Sequence, residues 1–234
     1  MLAEDIPLTL MKRACLFLLV LTAIKLQAQD VRRDAMSPYT IRGNMGIQKP
    51  LTSGKFQQSF AGLYEGNISF NARIGTNFSA GFGYQNTYFK NNQFLKRKIS
   101  NAQLPYHTSL ICDGAFLRLG YDRFFRTNGF VSYALNGGYT FCRYTNVNND
   151  SSAANSPYPG KTFNSPYIQP EVSFNFVMEQ RLAFSLFLSY TTMFYKYDAR
   201  APRLNHFPEI EDKGNSFPMS YFSFGFGFTV LLGK

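Results

Sequence analysis

The chain has 234 residues, a formal net charge of +10 and a mean hydropathy of −0.20. This length suits one domain, and no run of about 18 apolar residues follows the N-terminal region, which argues against a transmembrane helix in the mature chain. The basic residues do not indicate nucleic-acid binding, because they are scattered and the aromatic residues keep a strict alternation instead of interleaving with them. A basic rim beside phosphorylated lipid headgroups fits the same charge.

A secretory signal peptide is predicted at the N-terminus, with cleavage after Ala28. Residues 11–13 are Met-Lys-Arg, residues 14–24 form an apolar core, and a small residue precedes the cleavage position. We expect Met11 to be the true start and residues 1–10 to be an over-extended gene model. The alternative interpretation of this stretch is a buried core helix.

From about residue 39, apolar residues alternate with polar or small ones, with the period of two that is typical of a strand. The last such segment is the clearest, because Phe222, Phe224, Phe226 and Phe228 share one face while serine, glycine and threonine occupy the other. Each segment is long enough to cross a bilayer when tilted. The eight segments are 39–49, 62–74, 77–89, 109–122, 130–144, 167–178, 182–195 and 221–232.

The links between these segments alternate in length. The long links are 50–61, 90–108, 145–166 and 196–217, and the short links are 75–76, 123–129 and 179–181. Outer-membrane barrels have short periplasmic turns and longer external loops. The predicted fold class is therefore all-β, an eight-stranded antiparallel up-and-down transmembrane β-barrel in the bacterial outer membrane. A soluble sandwich or a lipocalin-like secreted barrel is the alternative.

This interpretation divides the chain into a signal peptide over residues 1–28, a periplasmic segment over 29–38 and the barrel over 39–234. Tyrosines near strand ends are expected to form aromatic girdles at the two membrane interfaces. They are Tyr39, Tyr64, Tyr88, Tyr121, Tyr167, Tyr195 and Tyr221. Charged residues on the inward faces are expected to pair inside a narrow polar lumen. They are Arg42, Glu65, Arg73, Arg118 and Glu171.

The alternating Gly- and Phe-rich segments, the Gln-Ala-Gln-Asp sequence around the cleavage position and the Phe-Gly-Phe-Gly-Phe run at 224–228 carry a resemblance. The chain resembles the small outer-membrane β-barrel proteins of Bacteroidetes and the eight-stranded barrels typified by OmpX and the OmpA transmembrane domain. One departure is the C-terminus, Leu-Leu-Gly-Lys, where many such proteins end on an aromatic residue that the assembly machinery reads.

One short motif raises the possibility of catalysis. A lipid A deacylase of similar architecture uses a His-x-Ser pair with an acidic residue, and His107 and Ser109 match that spacing. The Asn that usually follows the Ser is Leu110, and no acidic residue is obviously placed to orient the imidazole, because Asp113, on the same face, lies four residues beyond Ser109. We therefore predict no catalytic site, no cofactor and no metal. The polar loop at 206–212 is interpreted as solvated, with a weak cation site as the alternative.

Cys112 and Cys142 are the two cysteines of the predicted mature chain, in an oxidising compartment that permits disulfides. If Tyr121 pairs with Tyr133 in the hairpin of the fourth and fifth strands, the same register places the cysteines directly opposite each other, both inward. Directly opposed Cβ atoms lie about 4.5–5.5 Å apart, which is marginally wide for a disulfide. The sequence predicts cross-strand neighbours and leaves their oxidation open.

The predicted function is that of a non-enzymatic outer-membrane barrel with a structural, adhesion or complex-forming role, exercised through its external loops. The expected partners are outer-membrane lipid and lipopolysaccharide, the barrel assembly machinery and an external or envelope partner, but no nucleic acid. The alternatives are a lipid A-modifying enzyme and a small, narrow porin-like channel. Phe116, Phe187 and Met193 are expected to point inward and to oppose conductance.

Overall fold

A computed structural model describes residues 37–52, 54–92, 96–99, 102–105, 107–125, 129–147, 162–179, 181–198, 202 and 217–233. The predicted signal peptide and its cleavage position lie outside these ranges. Within them, no helix has the length and apolarity needed to cross a membrane.

Eight long strands close into a single antiparallel barrel, which confirms the predicted fold class. The elements are β1 (Tyr39–Pro50), α1 (Gly54–Ser59), β2 (Phe60–Arg73), β3 (Phe78–Asn91), β4 (Lys96–Ile99), β5 (Ala102–Pro105), β6 (His107–Phe125), β7 (Gly129–Val147), β8 (Thr162–Glu179), β9 (Leu182–Met193) and β10 (Met219–Leu232). Each barrel strand pairs with its neighbour along the chain, and β1 pairs with β10 to close the ring. Closure matters because a bilayer offers no water to hydrogen-bond a free strand edge.

The two ends of the barrel differ. Short connections join β2 to β3, β6 to β7 and β8 to β9 at one end, whereas α1 and the β4–β5 hairpin connect strands at the opposite end. We call these the periplasmic end and the external end, following the loop asymmetry of outer-membrane barrels. Both chain termini of the barrel lie at the periplasmic end.

In the part of the barrel nearer the periplasmic end, the outward face is apolar around the whole circumference. Leu117 is 71% exposed and Phe82 is 62% exposed, and no second layer of polypeptide covers either in the part of the chain that the structure describes. Large exposed apolar patches on a folded protein mark a lipid or protein contact. Other exposed outward residues of this wall are Ile41, Met45, Ile68, Phe70, Leu119, Leu135, Phe174, Leu186, Leu188, Phe224, Phe226 and Phe228. The wall is therefore a lipid-facing surface, as expected for a transmembrane barrel.

Toward the external end this polarity reverses. Outward positions there include the polar residues Lys49, Arg143 and Asn164, while Leu110 and Tyr144 point inward and are buried. The strands thus continue past the apolar band as a barrel with an ordinary apolar interior.

β6 and β7 each run for 19 residues and extend beyond the predicted segments at both ends. β8 begins at Thr162, five residues before the predicted segment, and its apolar residue there, Phe163, shares a face with Ser165.

Inward-facing glycines give space to large side chains inside the lumen. A Cβ atom on Gly46 would lie 2.7 Å from the ring of Phe187, and one on Gly83 would overlap the ring of Phe116. Both rings are buried inside the barrel. In contrast, a Cβ on the outward Gly137 meets nothing within 4 Å.

We predict that Gly46→Ala destabilises the barrel by about 1–3 kcal/mol, because the added methyl overpacks against the Phe187 ring. Gly137→Ala is the matched control and should change stability by less than about 0.5 kcal/mol. Denaturant unfolding in detergent, followed by the gel mobility of the folded barrel, measures both. Equal stability of the two variants would show that the glycines are not needed for lumen packing.

Candidate functional site: the lumen and the external end

The polar part of the lumen begins near the periplasmic end with Asp122 on β6. Its carboxylate lies 3.2 Å from Arg42 and 3.7 Å from Arg73, two of the predicted lumen charges. Ser132, opposite it on β7, donates a hydrogen bond to the same carboxylate and accepts one from Arg42 at 3.0 Å. The cluster therefore ties β1, β2, β6 and β7 together across the lumen.

A second ion pair crosses the lumen above the first. Arg118 donates two hydrogen bonds to the Glu171 carboxylate, at 2.8 Å and 3.1 Å, and a third to Asn136 at 3.1 Å. Both charged side chains are almost fully buried. This two-pronged geometry is the strongest form of an arginine–carboxylate contact, and it fixes β6 against β8.

Glu65 forms a third cluster in which no cation takes part. Its carboxylate accepts hydrogen bonds from Gln169 at 2.7 Å, from Gln85 at 2.9 Å and from Ser223. Gln169 also donates to Thr191 at 2.8 Å. Among the described residues Glu65 has no ion pair, so neutral donors alone compensate its burial.

The five predicted lumen charges are thus all inside the barrel, but their partners differ from one another. Asp122 was not predicted as a lumen charge; it pairs with two arginines and brings the charged groups that the described residues place in the lumen to three basic and three acidic. The sequence did contain a signal for Asp122: it lies four residues from Arg118 on β6, and residues four apart on a strand share a face. The hydrogen-bond donors to Glu65 are the neutral side chains of Gln85, Gln169 and Ser223, which a count of charged residues does not reveal.

We predict that Arg118→Met destabilises the barrel by about 3–5 kcal/mol, because it leaves the buried Glu171 carboxylate without its cation. The double variant Arg118→Met/Glu171→Met should recover most of this loss, since it removes both charges. Arg181→Met, at an exposed turn arginine, is the control. The free energy of unfolding of all four proteins tests the pair, and a single variant as stable as the wild type would contradict it.

Cys112 and Cys142 face each other on β6 and β7, in the register that the sequence predicts from Tyr121 and Tyr133. Their Cα atoms are 4.1 Å apart, and the structure joins the two sulfurs in a disulfide. The bond points inward and is buried, at the level where polar lumen gives way to apolar core.

We predict that Cys112→Ser/Cys142→Ser lowers the free energy of unfolding by about 2–4 kcal/mol, because the bond closes a loop of 30 residues in the unfolded chain. In a chain lacking residues 1–28, neither cysteine should react with a maleimide after denaturation without reductant, and both should react after reduction. Full labelling before reduction would show that the two thiols are free.

The external end is filled by an aromatic core that α1 completes. Phe56 on α1 is fully buried and packs its ring against Phe89, Tyr197 and Phe60, with centroids 5.3, 5.5 and 5.9 Å apart. Such pairs add stability beyond the area they bury. Leu110 and Met219 belong to the same cluster. The helix was not predicted, because residues 50–61 have the polar pattern of a link between strands.

Two predicted girdle tyrosines are instead part of this interior, which corrects the girdle prediction at those positions. Tyr167 is 5% exposed and Tyr221 is 2% exposed, both within the lumen. The reason is parity, because Tyr167 shares its face with Gln169 and Tyr221 shares its face with Ser223. Proximity to a strand end does not decide which face a tyrosine takes.

Tyr195, a third predicted girdle tyrosine, follows the end of β9 and packs at the external end. Its ring stacks on Phe163 with centroids 3.7 Å apart. Partial burial, together with the nearby Asp198 carboxylate, raises the pKa of Tyr195 above its ordinary value. This phenol therefore stays neutral at physiological pH.

His107 and Ser109 lie on the outward face of β6 near the external end, but the structure does not assemble them into a nucleophile–base pair. The Ser109 hydroxyl lies 2.9 Å from that of Tyr88, and no hydrogen bond joins it to His107 in the described chain. Asp113 instead accepts hydrogen bonds from Tyr84 and Asn86.

The described residues hold no group of three or more His, Cys, Asp or Glu side chains that could bind a metal ion. The predicted polar loop at 206–212 lies outside the described residues. Among the described residues, the site consists of a lumen filled by hydrogen-bonded polar side chains and a packed aromatic external end.

No family model and no curated protein sequence matches the chain. Among solved structures, it is similar to Neisserial surface protein A, at 14% identity and a TM-score of 0.47 over 84% of this chain and 98% of that one. It is also similar to the outer membrane protein OprG from Pseudomonas aeruginosa, at 12% identity and a TM-score of 0.45 over 83% and 96% of the two chains. For Ail, the attachment invasion locus protein of Yersinia pestis, the values are 6%, 0.43, 83% and 99%. These identities are too low for any property of those proteins to be transferred to this chain.

Proposed function

We propose that the protein is a non-enzymatic outer-membrane barrel that uses its external end to hold or bind a partner at the cell surface. The observation that carries this proposal is the reversal of polarity along the strands. The barrel does not end at the membrane but continues beyond the apolar wall as a packed aromatic core. A rigid platform of this kind positions the links that connect its strands.

The filled lumen supports a structural role over transport. Three hydrogen-bonded clusters around Asp122, Arg118 and Glu65 occupy the interior, and the rings of Phe116 and Phe187 are buried inside it. An eight-stranded barrel has an interior just wide enough for side chains to fill. The narrow porin-like channel is therefore the less supported alternative.

The lipid A-modifying enzyme is also less supported, because Ser109 pairs with Tyr88 and Asp113 is engaged by Tyr84 and Asn86. The proposal includes contact with outer-membrane lipid and lipopolysaccharide around the apolar wall, and insertion by the barrel assembly machinery. An origin in Bacteroidetes remains a prediction from the sequence resemblance.

A loop-replacement experiment tests the proposed role. Residues 148–161, between β7 and β8, are replaced by a short Gly-Ser link, and in the control the periplasmic residues 126–128 are replaced instead. Intact cells are treated with a membrane-impermeant amine cross-linker. We expect a cross-linked partner with the wild type and the control that is lost, or reduced at least about tenfold, in the external variant.

The same preparations distinguish the alternatives. Stepwise currents from the wild-type barrel in planar bilayers would contradict the proposal in favour of a channel. A change in lipid A acylation, seen by mass spectrometry when Ser109→Ala replaces the wild type, would contradict it in favour of an enzyme. Identical cross-linking in all three proteins would show that residues 148–161 are not needed to bind the partner.

A further inference from the structure

The lipid-facing wall contains a groove of about 480 Å³ across β1, β2, β3 and β10. Two of its residues, Gly43 and Gly66, have no side chain to fill it, and a Cβ added at either would meet nothing within 4 Å. Ile68 and Phe226 line the groove, and both are exposed on the wall. The groove is therefore a depression in an apolar surface, and an acyl chain can enter it.

A pair of tyrosines lies on the external side of this groove. Tyr64 pairs with Tyr88 across β2 and β3, and their rings stack with centroids 5.9 Å apart. Tyr64 is two residues from the groove residue Gly66, toward the external end. Tyrosines collect at membrane interfaces, because the ring is apolar and the hydroxyl needs water. The groove thus ends just below the external interface.

Two lysines lie beyond these tyrosines on the outward face. Lys49 is four residues past the groove residue Met45 on β1. Lys90 is four residues past the groove residue Asn86 on β3. At about 3.3 Å per residue and a tilt of about 40°, both are about 10 Å above the groove, and Lys49 is about 25 Å above Tyr39 at the start of β1. This height equals that of the apolar band, so the lysines lie at its external edge.

The two lysines flank Ala61 of β2. Ala61 pairs with Lys90 on one side. The next residue, Gly62, lies against Gln48 on β1, and the antiparallel register then places Ala61 beside Lys49. Neighbouring strands are about 4.8 Å apart, so the Cα atoms of the lysines are about 10 Å apart. Ala61 is exposed and too short to fill the space between them, and their flexible stems can converge on one anion there.

The charge of this pair indicates which headgroup fits. Among the described residues no ion pair engages either lysine. Asp113, also on the outward face, lies opposite Asn86 at the level of the groove and accepts hydrogen bonds from Asn86 and Tyr84. Two neighbouring ammonium groups at a membrane surface attract an anionic headgroup. Of the lipids expected at the external interface, lipopolysaccharide carries phosphates on its lipid A anchor.

We propose that this face of the wall is a binding site for the lipid A part of one lipopolysaccharide molecule. An acyl chain lies over Gly43 and Gly66, and a phosphate lies above Ala61, where Lys49 and Lys90 donate to its oxygens. The site rests on the lipid contact included in the proposed function and gives that contact a place and a chemistry. It involves neither the lumen nor residues 148–161.

Native mass spectrometry of the full-length mature barrel, released from detergent with added lipid, tests the site. The probes are lipid A with both phosphates and the same lipid A after both phosphates have been removed. We expect one phosphorylated lipid A to bind at least about tenfold more tightly than the dephosphorylated form, because only the former has a partner for the lysine pair.

The lysine variant Lys49→Gln/Lys90→Gln tests the headgroup contact. It should weaken binding of phosphorylated lipid A about tenfold and leave binding of the dephosphorylated form unchanged. Arg143→Gln/Arg181→Gln is the matched control, since it removes the same charge from β7 and from the turn before β9, away from the groove. It should change neither binding constant.

The groove variant Gly66→Leu tests the acyl-chain contact. It fills the groove and should weaken binding of both forms about tenfold, whereas Gly137→Leu, at a wall glycine outside the groove, should not. Folded gel mobility confirms that each variant is a barrel. Equal binding of the two forms by the wild type, unchanged binding in the lysine variant or in Gly66→Leu, or a dimer that occupies the groove would each overturn the site. Because partner cross-linking is measured separately, loss of the site with the partner retained leaves the proposed surface role standing.

Discussion

The structure depends on one constraint: inside a bilayer every backbone hydrogen bond must be made within the protein, and every side chain must face either lipid or the lumen. Closing β1 onto β10 meets the first requirement because it removes both sheet edges. The strict alternation of side chains meets the second, since one register assigns all odd and all even positions of a strand to opposite faces. Strand pairing and membrane insertion are therefore set by the same pattern.

Where the strands leave the membrane, the inward face changes from polar to apolar and the outward face from apolar to polar. On β6 the inward positions pass from Asp122 and Arg118 through Phe116 and Cys112 to Leu110, from polar to apolar, toward the external end. The lower interior is polar because the wall outside it is apolar and the charges have no other place to pair. The upper interior is apolar because water surrounds it, so the external end is folded by the ordinary hydrophobic effect. The disulfide lies at this boundary.

Much of this could be predicted from alternation alone. The strand count, the barrel class and the register that opposes Cys112 to Cys142 all follow from local pattern and a single hairpin. The first five residues of β8 could not be predicted in this way, because the apolar residue there, Phe163, lies on the opposite face from the apolar residues that follow it. Nor could the burial of Phe56 on α1, or the amide partners of Glu65, since these contacts join residues far apart in the chain. The inward position of Tyr167 could have been predicted from the sequence, because the alternation places it on the same face as Gln169.

The most direct test of the central claim is a methyl NMR experiment in lipid nanodiscs, with methyl-labelled leucine in a deuterated chain and protonated lipid. The account predicts strong nuclear Overhauser effects from acyl methylenes to Leu117 and Leu119, on the exposed wall, and none to Leu110, in the packed external core. Contacts from lipid to Leu110, together with silence at Leu117 and Leu119, would show that the apolar wall is covered by protein and would contradict the account.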